Sequence, residues 1–560
     1  MTTAASVVPV QTEGRTEHLY PVLTPAQVSR LASRGHRRPF AQGEVLIEPG
    51  QPAVRIFVVL DGTIEVIRAT NGVEELIVTF SAGMFTGEGA LLTGRPTIAR
   101  IRGGEAGEVI EVDRDALLSL IQTDSELSEI LLRAFVLRRA ALIARGVSDE
   151  VLLGSTHCSE TLRIKQFLTR NGHPYTYLDL DRDADVQALL DRFRITPADI
   201  PVLICHGDVV LRNPSNSQIA DCLGFNEAID QTKLRDVIVV GAGPAGLSAA
   251  VYAASEGLDV LVVESSSAGG QAGASSRIEN YMGFPTGISG LDLAARGFAQ
   301  AEKFGAQVMI GKLASKFDCV ALPFAIQLEG AGRIAARAMI IATGASYRRL
   351  ALPNLEQYEG AGIYYGATFM EAQLCRGEEV IVVGGGNAAG QAAVYLADSG
   401  SRVHVLVRSG GLAESMSRYL VRRIEGHPAI EVRVHTEIDQ LDGSGHLERV
   451  RWRDNRSGSV EDRDIRHVFV MTGALPSTAW LDGCLALDAH GFIKTGSDLS
   501  AEDLAAAHWP LARPPHLLET SRPNVFAVGD VRSGNIKRVA SAVGEGSIAI
   551  SAIHKVLAEQ

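Results

Sequence analysis

Apolar and polar positions alternate along the chain with two periodicities, that of strands and that of helices, and the changes of periodicity divide it into segments. Between residues 21 and 147, short alternating stretches are separated by glycines and end in a helical stretch, which predicts a small β-barrel or β-sandwich followed by a helix. Residues 148–225 follow the order strand–helix–strand–helix–strand and predict a small α/β unit. Residues 1–20 show neither periodicity and are predicted to form a flexible tail.

From residue 235 onward, apolar strands alternate with helical stretches, a pattern typical of doubly wound sheets. Two of the strands, Asp236–Val240 and Glu379–Val383, run directly into glycine-rich turns that open helices. Residues 226–234 are the predicted linker to this region. The predicted fold class is α/β, with two Rossmann-like units preceded by a β-roll and a small α/β unit.

The composition is that of a globular protein with an acidic surface. The chain has 560 residues, a hydrophobic content of 46% and a net charge of −12. This charge argues against nucleic acid and against an anionic membrane as partners, and no uninterrupted apolar stretch reaches membrane-spanning length. Six cysteines without a C-x-x-C pair, and no secretory signal, predict a cytoplasmic protein. No metal site is predicted.

The first glycine-rich turn has the spacing of a dinucleotide-binding loop. Its first glycine permits a tight turn, the second lets the backbone approach a pyrophosphate, and the third lets the helix pack on the strand. The helix N-terminus favours the phosphate charge. Glu264, which ends the next strand, can bind both ribose hydroxyls of an adenosine. The predicted loop residues are Gly241, Gly243, Pro244, Ala245 and Gly246.

The second glycine-rich turn predicts a nicotinamide-nucleotide site. The strand that follows it ends in Arg408, where an acid would suit a free ribose hydroxyl and an arginine suits a 2′-phosphate. NADPH is therefore favoured over NADH, although Ser409 stands where a second arginine is expected and Arg408 alone also fits a plain surface position. The predicted loop residues are Gly384, Gly386, Asn387, Ala388 and Ala389.

Residues 235–560 resemble the low-molecular-weight thioredoxin reductase family. The matching motifs, in order, are GAGPAG at 241, GGQ at 269, IENYMGFP at 278, ATG at 342, GGGNAA at 384 and NVFAVGD at 524. The resemblance implies an FAD-binding domain of residues 235–353 and 472–560, with an NAD(P)H-binding domain inserted at 354–471. It further implies that the flavin is bound by Gly270, Gln271, Asn280, Thr343, Gly344, Gly529, Asp530, Arg538 and Val539.

The redox dithiol of that family is missing. Ala367 and Met370 occupy the two cysteine positions, and Glu371 follows them. Because a thiolate must attack the disulfide of the partner, the usual route of electrons to thioredoxin is closed. The electron acceptor therefore stays unidentified, with dioxygen, a quinone or an iron–sulfur protein as alternatives. Cys375 is close in sequence but is predicted to be a core residue.

Residues 21–147 resemble the cyclic nucleotide-binding domain. The resemblance is carried by residues 49–66 and 84–100, and it implies ligand contacts at Gly87 and Glu88. The expected phosphate-binding arginine is replaced by Thr97, with Arg95 two residues earlier. The domain either binds a cyclic nucleotide or a related ligand, or it is degenerate and serves dimerisation. Its final helix would be the dimer helix, so a homodimer is predicted.

Residues 148–225 resemble the thioredoxin/glutaredoxin fold. A strand at Val151–Leu153 leads into a turn ending at Cys158, and Pro201 stands where that fold has a cis-proline. Cys158 occupies the nucleophile position, and Thr161 replaces the second cysteine. A helix N-terminus stabilises a thiolate, so a redox role for Cys158 competes with a role as part of a packed turn.

Two classes of function remain after these inferences. The first is an FAD-dependent NAD(P)H oxidoreductase that passes hydride from NADPH to FAD and on to the unidentified acceptor, regulated by its N-terminal domain. The second is a flavin-based redox or nucleotide sensor with little turnover. A disulfide reductase that uses Cys158 is a variant of the first class.

Overall fold

The computed structural model describes residues 16–559 with short gaps. These gaps are residues 52–53, 71–72, 88–96, 98, 145–149, 157, 181–189, 191–194, 197–198, 206–208, 320–321, 331, 414–415 and 482.

The N-terminal unit is an antiparallel β-roll covered by helices. Its strand order is β1-β5-β3-β4, with β2 also paired to β5. Ile56 and Val58 of β3 pack against Phe135 of α4, which places the core between sheet and helices. The elements are α1 (Thr16–Leu19), α2 (Pro25–Ala32), β1 (His36–Phe40), β2 (Val45–Ile47), β3 (Arg55–Thr70), β4 (Val73–Phe80), β5 (Arg100–Asp113), α3 (Arg114–Thr123) and α4 (Ser125–Ala144). The predicted roll and final helix are confirmed.

The middle unit is a four-stranded sheet of order β7-β6-β8-β9. β6 and β7 are parallel, and the other two pairings are antiparallel. The Ile200–Pro201 peptide bond is cis, as predicted. The helix expected at 183–193 lies almost wholly outside the described residues. The elements are β6 (Val151–Gly154), α5 (Ser159–Arg170), β7 (Thr176–Asp179), β8 (Val202–Cys205), β9 (Val209–Arg212) and α6 (Asn216–Cys222).

The unit formed by residues 235–347 and 474–558, called the outer unit below, contains a doubly wound sheet. Its strand order is β12-β11-β10-β15-β14-β13, with β26 paired to β15. Apolar faces of α7 and α14 cover one side of it. Its elements are β10 (Arg235–Val240), α7 (Pro244–Ser255), β11 (Val260–Glu264), α8 (Gly270–Gly273), α9 (Gly290–Lys303), β12 (Gln307–Ile310), β13 (Ala314–Asp318), β14 (Phe324–Leu328), β15 (Gly332–Ile341), β16 (Ala345–Tyr347), β25 (Ala474–Pro476), α13 (Ala501–Ala506), β26 (Val525–Ala527) and α14 (Val539–Ala558).

The inserted unit has a five-stranded parallel sheet of order β17-β24-β18-β19-β20 and a three-stranded antiparallel sheet of order β21-β22-β23. Its elements are β17 (Ile363–Tyr364), α10 (Phe369–Leu374), β18 (Glu379–Val383), α11 (Asn387–Asp398), β19 (Arg402–Val407), α12 (Arg418–Glu425), β20 (Ile430–Val434), β21 (Thr436–Asp442), β22 (Arg449–Asp454), β23 (Val460–Arg463) and β24 (His467–Val470). The predicted α/β class with two Rossmann-like units is confirmed.

Two further links tie distant segments together. β16 and β25 pair as an antiparallel ribbon where the chain enters and leaves the inserted unit. Cys319 and Cys484 form a disulfide across 165 residues, a bond that the cysteine spacing did not indicate. No helix in the part of the chain that the structure describes is long and apolar enough to cross a membrane.

Candidate active site

The first glycine-rich loop is shaped by close backbone approaches. Gly241 has a φ of 105°, and a Cβ there would lie 2.4 Å from the carbonyl oxygen of Ala342. A Cβ on Gly246 would lie 1.9 Å from the carbonyl oxygen of Gly241. Gly243 is the N-cap of α7, where unpaired backbone N–H groups favour an anion. The roles predicted for the three glycines agree with this geometry.

Glu264 lies at the end of β11 beside the first loop. Its carboxylate accepts hydrogen bonds from the backbone N–H groups of Ala242 and Ser266, each at 2.8 Å. Burial raises the pKa of Glu264, while these donors and the charge of Arg170 oppose that shift. The carboxylate is thus held in place and faces the cavity, as a ribose-binding group requires.

The other predicted flavin residues gather around the same space. Gln271 donates to the carbonyl oxygen of Ala345, and Thr343 donates to that of Ser477 at 2.9 Å. Burial raises the pKa of Asp530, and the nearby Lys537 ammonium partly offsets this effect. The remaining members of this group that line the cavity are Gly270, Asn280, Gly344, Gly529, Arg538 and Val539.

The second loop repeats the arrangement in the inserted unit. Gly384 has a φ of 142°, and a Cβ there would lie 2.6 Å from the carbonyl oxygen of Met471. Gly386 is the N-cap of α11 and has open space around its missing Cβ. Asn387 accepts a hydrogen bond from the N–H of Ser417 at 2.7 Å. Ala389 is buried beneath the loop, where a small side chain is needed.

Arg408 follows β19 directly and is exposed. Among the described residues it forms no ion pair, so its guanidinium is available to an anion. Its place at the end of the strand after the second loop is the one predicted for contact with a 2′-phosphate.

One cavity of about 1350 Å³ joins the two loops. The outer unit contributes Gly243 and Asp530, the inserted unit Gly386 and Asn387, and the middle unit Arg170. A nucleotide on each loop would therefore share one continuous space, which is what direct transfer between two cofactors needs.

The position of the missing dithiol lies on the wall of this cavity. Ala367 lines the cavity, and the Met370 sulfur accepts from the Thr169 hydroxyl at 3.7 Å. Glu371 is fully buried and accepts from the side-chain amide of Gln166 at 2.8 Å. Burial raises the pKa of the Cys375 thiol to about 11. This thiol is held in the core and does not replace the dithiol, in line with the sequence prediction.

Cys158 is the partly exposed N-cap residue of α5, and its side chain makes no capping hydrogen bond. The next residue, Ser159, lines the cavity and packs against Gly360. Thr169, which contacts Met370, lies eleven positions after Cys158, a rise of about 16 Å along the helix at 1.5 Å per residue. Cys158 therefore lies at the opposite end of α5 from the residue that contacts Met370.

Gly87 and Thr97 are the predicted N-terminal ligand residues that the structure describes. Glu88 and Arg95 lie outside the described residues. Gly87 has a φ of 108°, with Ile56 and Phe135 packed against it. The Thr97 hydroxyl donates to the carbonyl oxygen of Glu48 at 3.0 Å, so its polar group is used within the protein.

Two arginines at these sites were missed by the sequence analysis. Arg138 of α4 is 5% exposed, and its Nη1 donates to the carbonyl oxygens of Phe85 and Gly87, each at 2.9 Å. Burial lowers the pKa of Arg138 to about 10. Arg170 of α5 reaches Gly270, which is 100 residues away in sequence. A lone arginine on an apolar helix face was a usable signal for Arg138, but Arg170 had none.

A doubly wound outer unit, an inserted nucleotide unit and one cavity between their loops define an oxidoreductase that uses a flavin and a nicotinamide nucleotide. The chain belongs to the pyridine nucleotide-disulphide oxidoreductase family, whose model matches residues 235–546. Its cofactors are FAD and NADPH. The model of the cyclic nucleotide-binding domain matches residues 37–124, so the N-terminal unit is such a domain.

Similar proteins agree with this assignment. Thioredoxin reductase of Eremothecium gossypii is 34% identical over 335 residues, which are 58% of this chain and 98% of the relative. NADPH-dependent thioredoxin reductase 3 of Arabidopsis thaliana is 30% identical over 368 residues, which are 63% and 65% of the two chains. The crystal structure of Lactococcus lactis thioredoxin reductase matches 58% of this chain and all of its own, with 26% identity and a TM-score of 0.52.

Proposed function

We propose that this protein transfers hydride from NADPH to FAD and then passes the electrons to an acceptor that meets the flavin directly. The observation that carries this proposal is the single cavity that joins the two glycine-rich loops. FAD, when bound, supplies the redox chemistry, and the protein supplies position and electrostatics.

The residues of the chain divide this work between the two units. Gly243 and Gly386 cap α7 and α11 and offer backbone N–H groups to pyrophosphates. Glu264 offers a fixed carboxylate to adenosine ribose hydroxyls, and Asp530 offers one to the ribitol chain. Arg408 binds the 2′-phosphate that distinguishes NADPH from NADH.

The absence of the dithiol supports an acceptor that needs no thiol on this wall. Ala367 has no nucleophile, Met370 is engaged by Thr169, and Cys375 is buried and protonated at neutral pH. Electrons that leave the flavin therefore have no thiol relay among the described residues of the inserted unit. A small oxidant such as a quinone or dioxygen fits this arrangement.

A second candidate function is a disulfide reductase in which Cys158 receives the electrons. It is favoured by Ser159, which lines the shared cavity directly after Cys158. The thioredoxin-like nature of residues 148–225 is part of this proposal, and the sheet order and cis-Pro201 support it.

We also propose that each named domain coincides with its own sheet and that the N-terminal domain regulates the reductase. No sheet formed by the described residues crosses from one of the ranges 21–147, 148–225 and 235–560 into another. A route for regulation exists in two contacts of α3. Arg114 pairs with Glu227 at 2.6 Å, and Gln122 donates to the carbonyl oxygen of Lys303 at 2.9 Å.

Anaerobic stopped-flow reduction of the yellow holoprotein by NADPH and by NADH tests the main proposal. The reduced protein is then mixed with air, with a quinone or with thioredoxin. We expect rapid loss of the flavin absorbance with NADPH and rapid return with a quinone or with air. Bleaching that takes minutes would contradict the proposal and favour a flavin sensor. Rapid return with thioredoxin alone would favour the Cys158 route.

A further inference from the structure

A cationic side chain of the middle unit lies within the flavin side of the shared cavity. Arg170 is the last residue of α5, and its Nη2 donates to the carbonyl oxygen of Gly270 at 2.5 Å. It lines the same cavity as Gly243 and Glu264. A Cβ on Gly273 would lie 3.4 Å from the same Nη2, so the guanidinium rests against the whole turn of α8.

The guanidinium has unused binding capacity. Its Nε is buried and has no hydrogen-bond partner among the residues that the structure describes. Glu264 and Glu371 influence Arg170 electrostatically, but neither forms an ion pair with it. A partly buried guanidinium that lacks a contacting anion is costly, and an arriving anion lowers that cost.

The position of Arg170 identifies the anion. The α8 turn packs on the first glycine-rich loop, because a Cβ on Gly270 would lie 3.1 Å from the Cα of Gly243. Gly243 caps α7, whose N-terminus is the part of a dinucleotide fold that binds the pyrophosphate. The planar fork of a guanidinium matches phosphate oxygens.

The end of α5 is fixed on both nucleotide-binding units. Asn171, which caps the helix, donates to the carbonyl oxygen of Ser266 in the outer unit at 3.1 Å. Gln166 donates to Glu371 in the inserted unit at 2.8 Å. Arg170 is therefore held at the loop before the cofactor arrives, which lowers the entropy cost of a contact with it.

We propose that Arg170 binds the pyrophosphate of FAD, so that the middle unit completes the flavin site. This inference rests on FAD as the cofactor of the proposed function. By linkage, FAD and the docked position of the middle unit stabilise each other. Loss of the contact weakens FAD binding even though both glycine-rich loops remain intact.

Titration of the full-length apoprotein with FAD, followed by quenching of flavin fluorescence, tests the contact. The variant is Arg170→Met. We expect its Kd for FAD to rise about tenfold to a hundredfold, the range of a hydrogen bond to a charged group. ADP and adenosine serve as competing probes. ADP binding should weaken by a similar factor, and adenosine binding should be unchanged because adenosine has no phosphate.

Arg163→Met is the matched control. Arg163 lies on the same helix and lines the same cavity, but it bonds only to Glu160, Asn216 and Pro214 within the middle unit. Its replacement should leave the Kd for FAD within about threefold of the original. Should Arg170→Met fail to fold by circular dichroism, Arg170→Lys keeps the charge without the fork and should give an intermediate Kd.

Three results would overturn the inference. They are an unchanged Kd in Arg170→Met, an equal loss in Arg163→Met, and an equal loss of ADP and adenosine binding. Failure of the proposed function is distinguished separately, because a wild-type chain that binds FAD but is not reduced by NADPH leaves the Arg170 measurement intact.

Discussion

Gly246 and Gly386 belong to the two nucleotide loops, but different surroundings require each of them. A Cβ on Gly246 would collide with the carbonyl oxygen of Gly241 at 1.9 Å, whereas a Cβ on Gly386 meets nothing within 4 Å. Gly246 is therefore required by the packing of helix on strand. Gly386 is required by the nucleotide that the proposed function places beside it.

This contrast predicts opposite outcomes for two alanine variants. Gly246→Ala should lower the free energy of unfolding by about 1–3 kcal/mol, since it overpacks a rigid turn, and should reduce the bound FAD. Gly386→Ala should change the free energy of unfolding by less than about 0.5 kcal/mol but raise the KM for NADPH. Urea unfolding and steady-state kinetics measure both. Equal destabilisation by the two variants would contradict the assignment.

Arg408→Ala should change nucleotide preference rather than flavin content. Without the guanidinium, the KM for NADPH should rise about tenfold or more, while the KM for NADH stays the same, because only NADPH has the 2′-phosphate. Arg402→Ala is the control, since Arg402 is an exposed arginine at the other end of β19 and pairs with Glu379. A ratio of the two KM values that Arg408→Ala leaves unchanged would show that Arg408 is a surface residue.

Asp530→Asn should alter the pH dependence of apoprotein stability. Because burial raises the pKa of Asp530 in the folded chain, its ionisation opposes folding above that pKa. The variant should therefore have the higher Tm near pH 8. The difference should shrink as the pH falls through the raised pKa and vanish near the ordinary aspartate pKa of about 3.9. Thermal unfolding across this range checks the sign, and a constant difference would contradict it.

The helix α5 sets the position of Cys158 relative to the shared cavity. About 16 Å of helix separates this cysteine from Thr169, the residue of α5 that contacts Met370. No second cysteine stands at Thr161, which is buried. The link between Cys158 and the shared cavity is Ser159, which follows it directly and lines that cavity.

We expect Cys158→Ser to leave NADPH-driven reduction of a quinone unchanged, because the thiol is not on that route. Turnover with a disulfide such as oxidised glutathione should be slow in both proteins. A disulfide activity that is present in the wild type and absent from Cys158→Ser would instead establish the disulfide-reductase candidate. Cys222→Ser, which alters another partly exposed free thiol of the same unit, is the control.

The elements differ in how far the sequence predicted them. The strand–loop–helix segments at Gly241 and Gly384, the helix over 125–144 and the cis bond before Pro201 follow local patterns, and all were predicted. The docking of α5 depends on contacts between residues that are 95 and 205 positions apart in sequence. The Cys319–Cys484 bond joins residues 165 positions apart. Periodicity reports which face of an element is buried but not its partner.

Across the whole molecule, α3 joins the cyclic nucleotide-binding domain to the reductase. Arg114 pairs with Glu227 of the linker, and Gln122 donates to the carbonyl oxygen of Lys303 at the C-terminus of α9. A ligand that shifts the N-terminal domain can act on the outer unit only through differential contacts of this kind.

Addition of cyclic AMP or cyclic GMP should change the rate of NADPH-driven flavin reduction. The double variant Arg114→Ala, Gln122→Ala should lose this response while its basal rate stays within about twofold, because neither residue lines the cavity. Stopped-flow traces with and without nucleotide measure both rates. A wild-type rate that neither nucleotide changes would leave the domain without a regulatory role for these ligands.

The outer unit is built from two separate stretches of chain, and this affects the order of events during synthesis on the ribosome. Its central strand β15 must wait for β26, and Asp530 and α14 emerge only after the whole inserted unit has been translated. Because α5 precedes both glycine-rich loops, Arg170 is synthesised long before β26 completes the sheet of the outer unit, which contains its partner Gly270. We therefore expect flavin to be captured only after Asp530 and α14 have been translated, by a chain whose earlier domains have already folded.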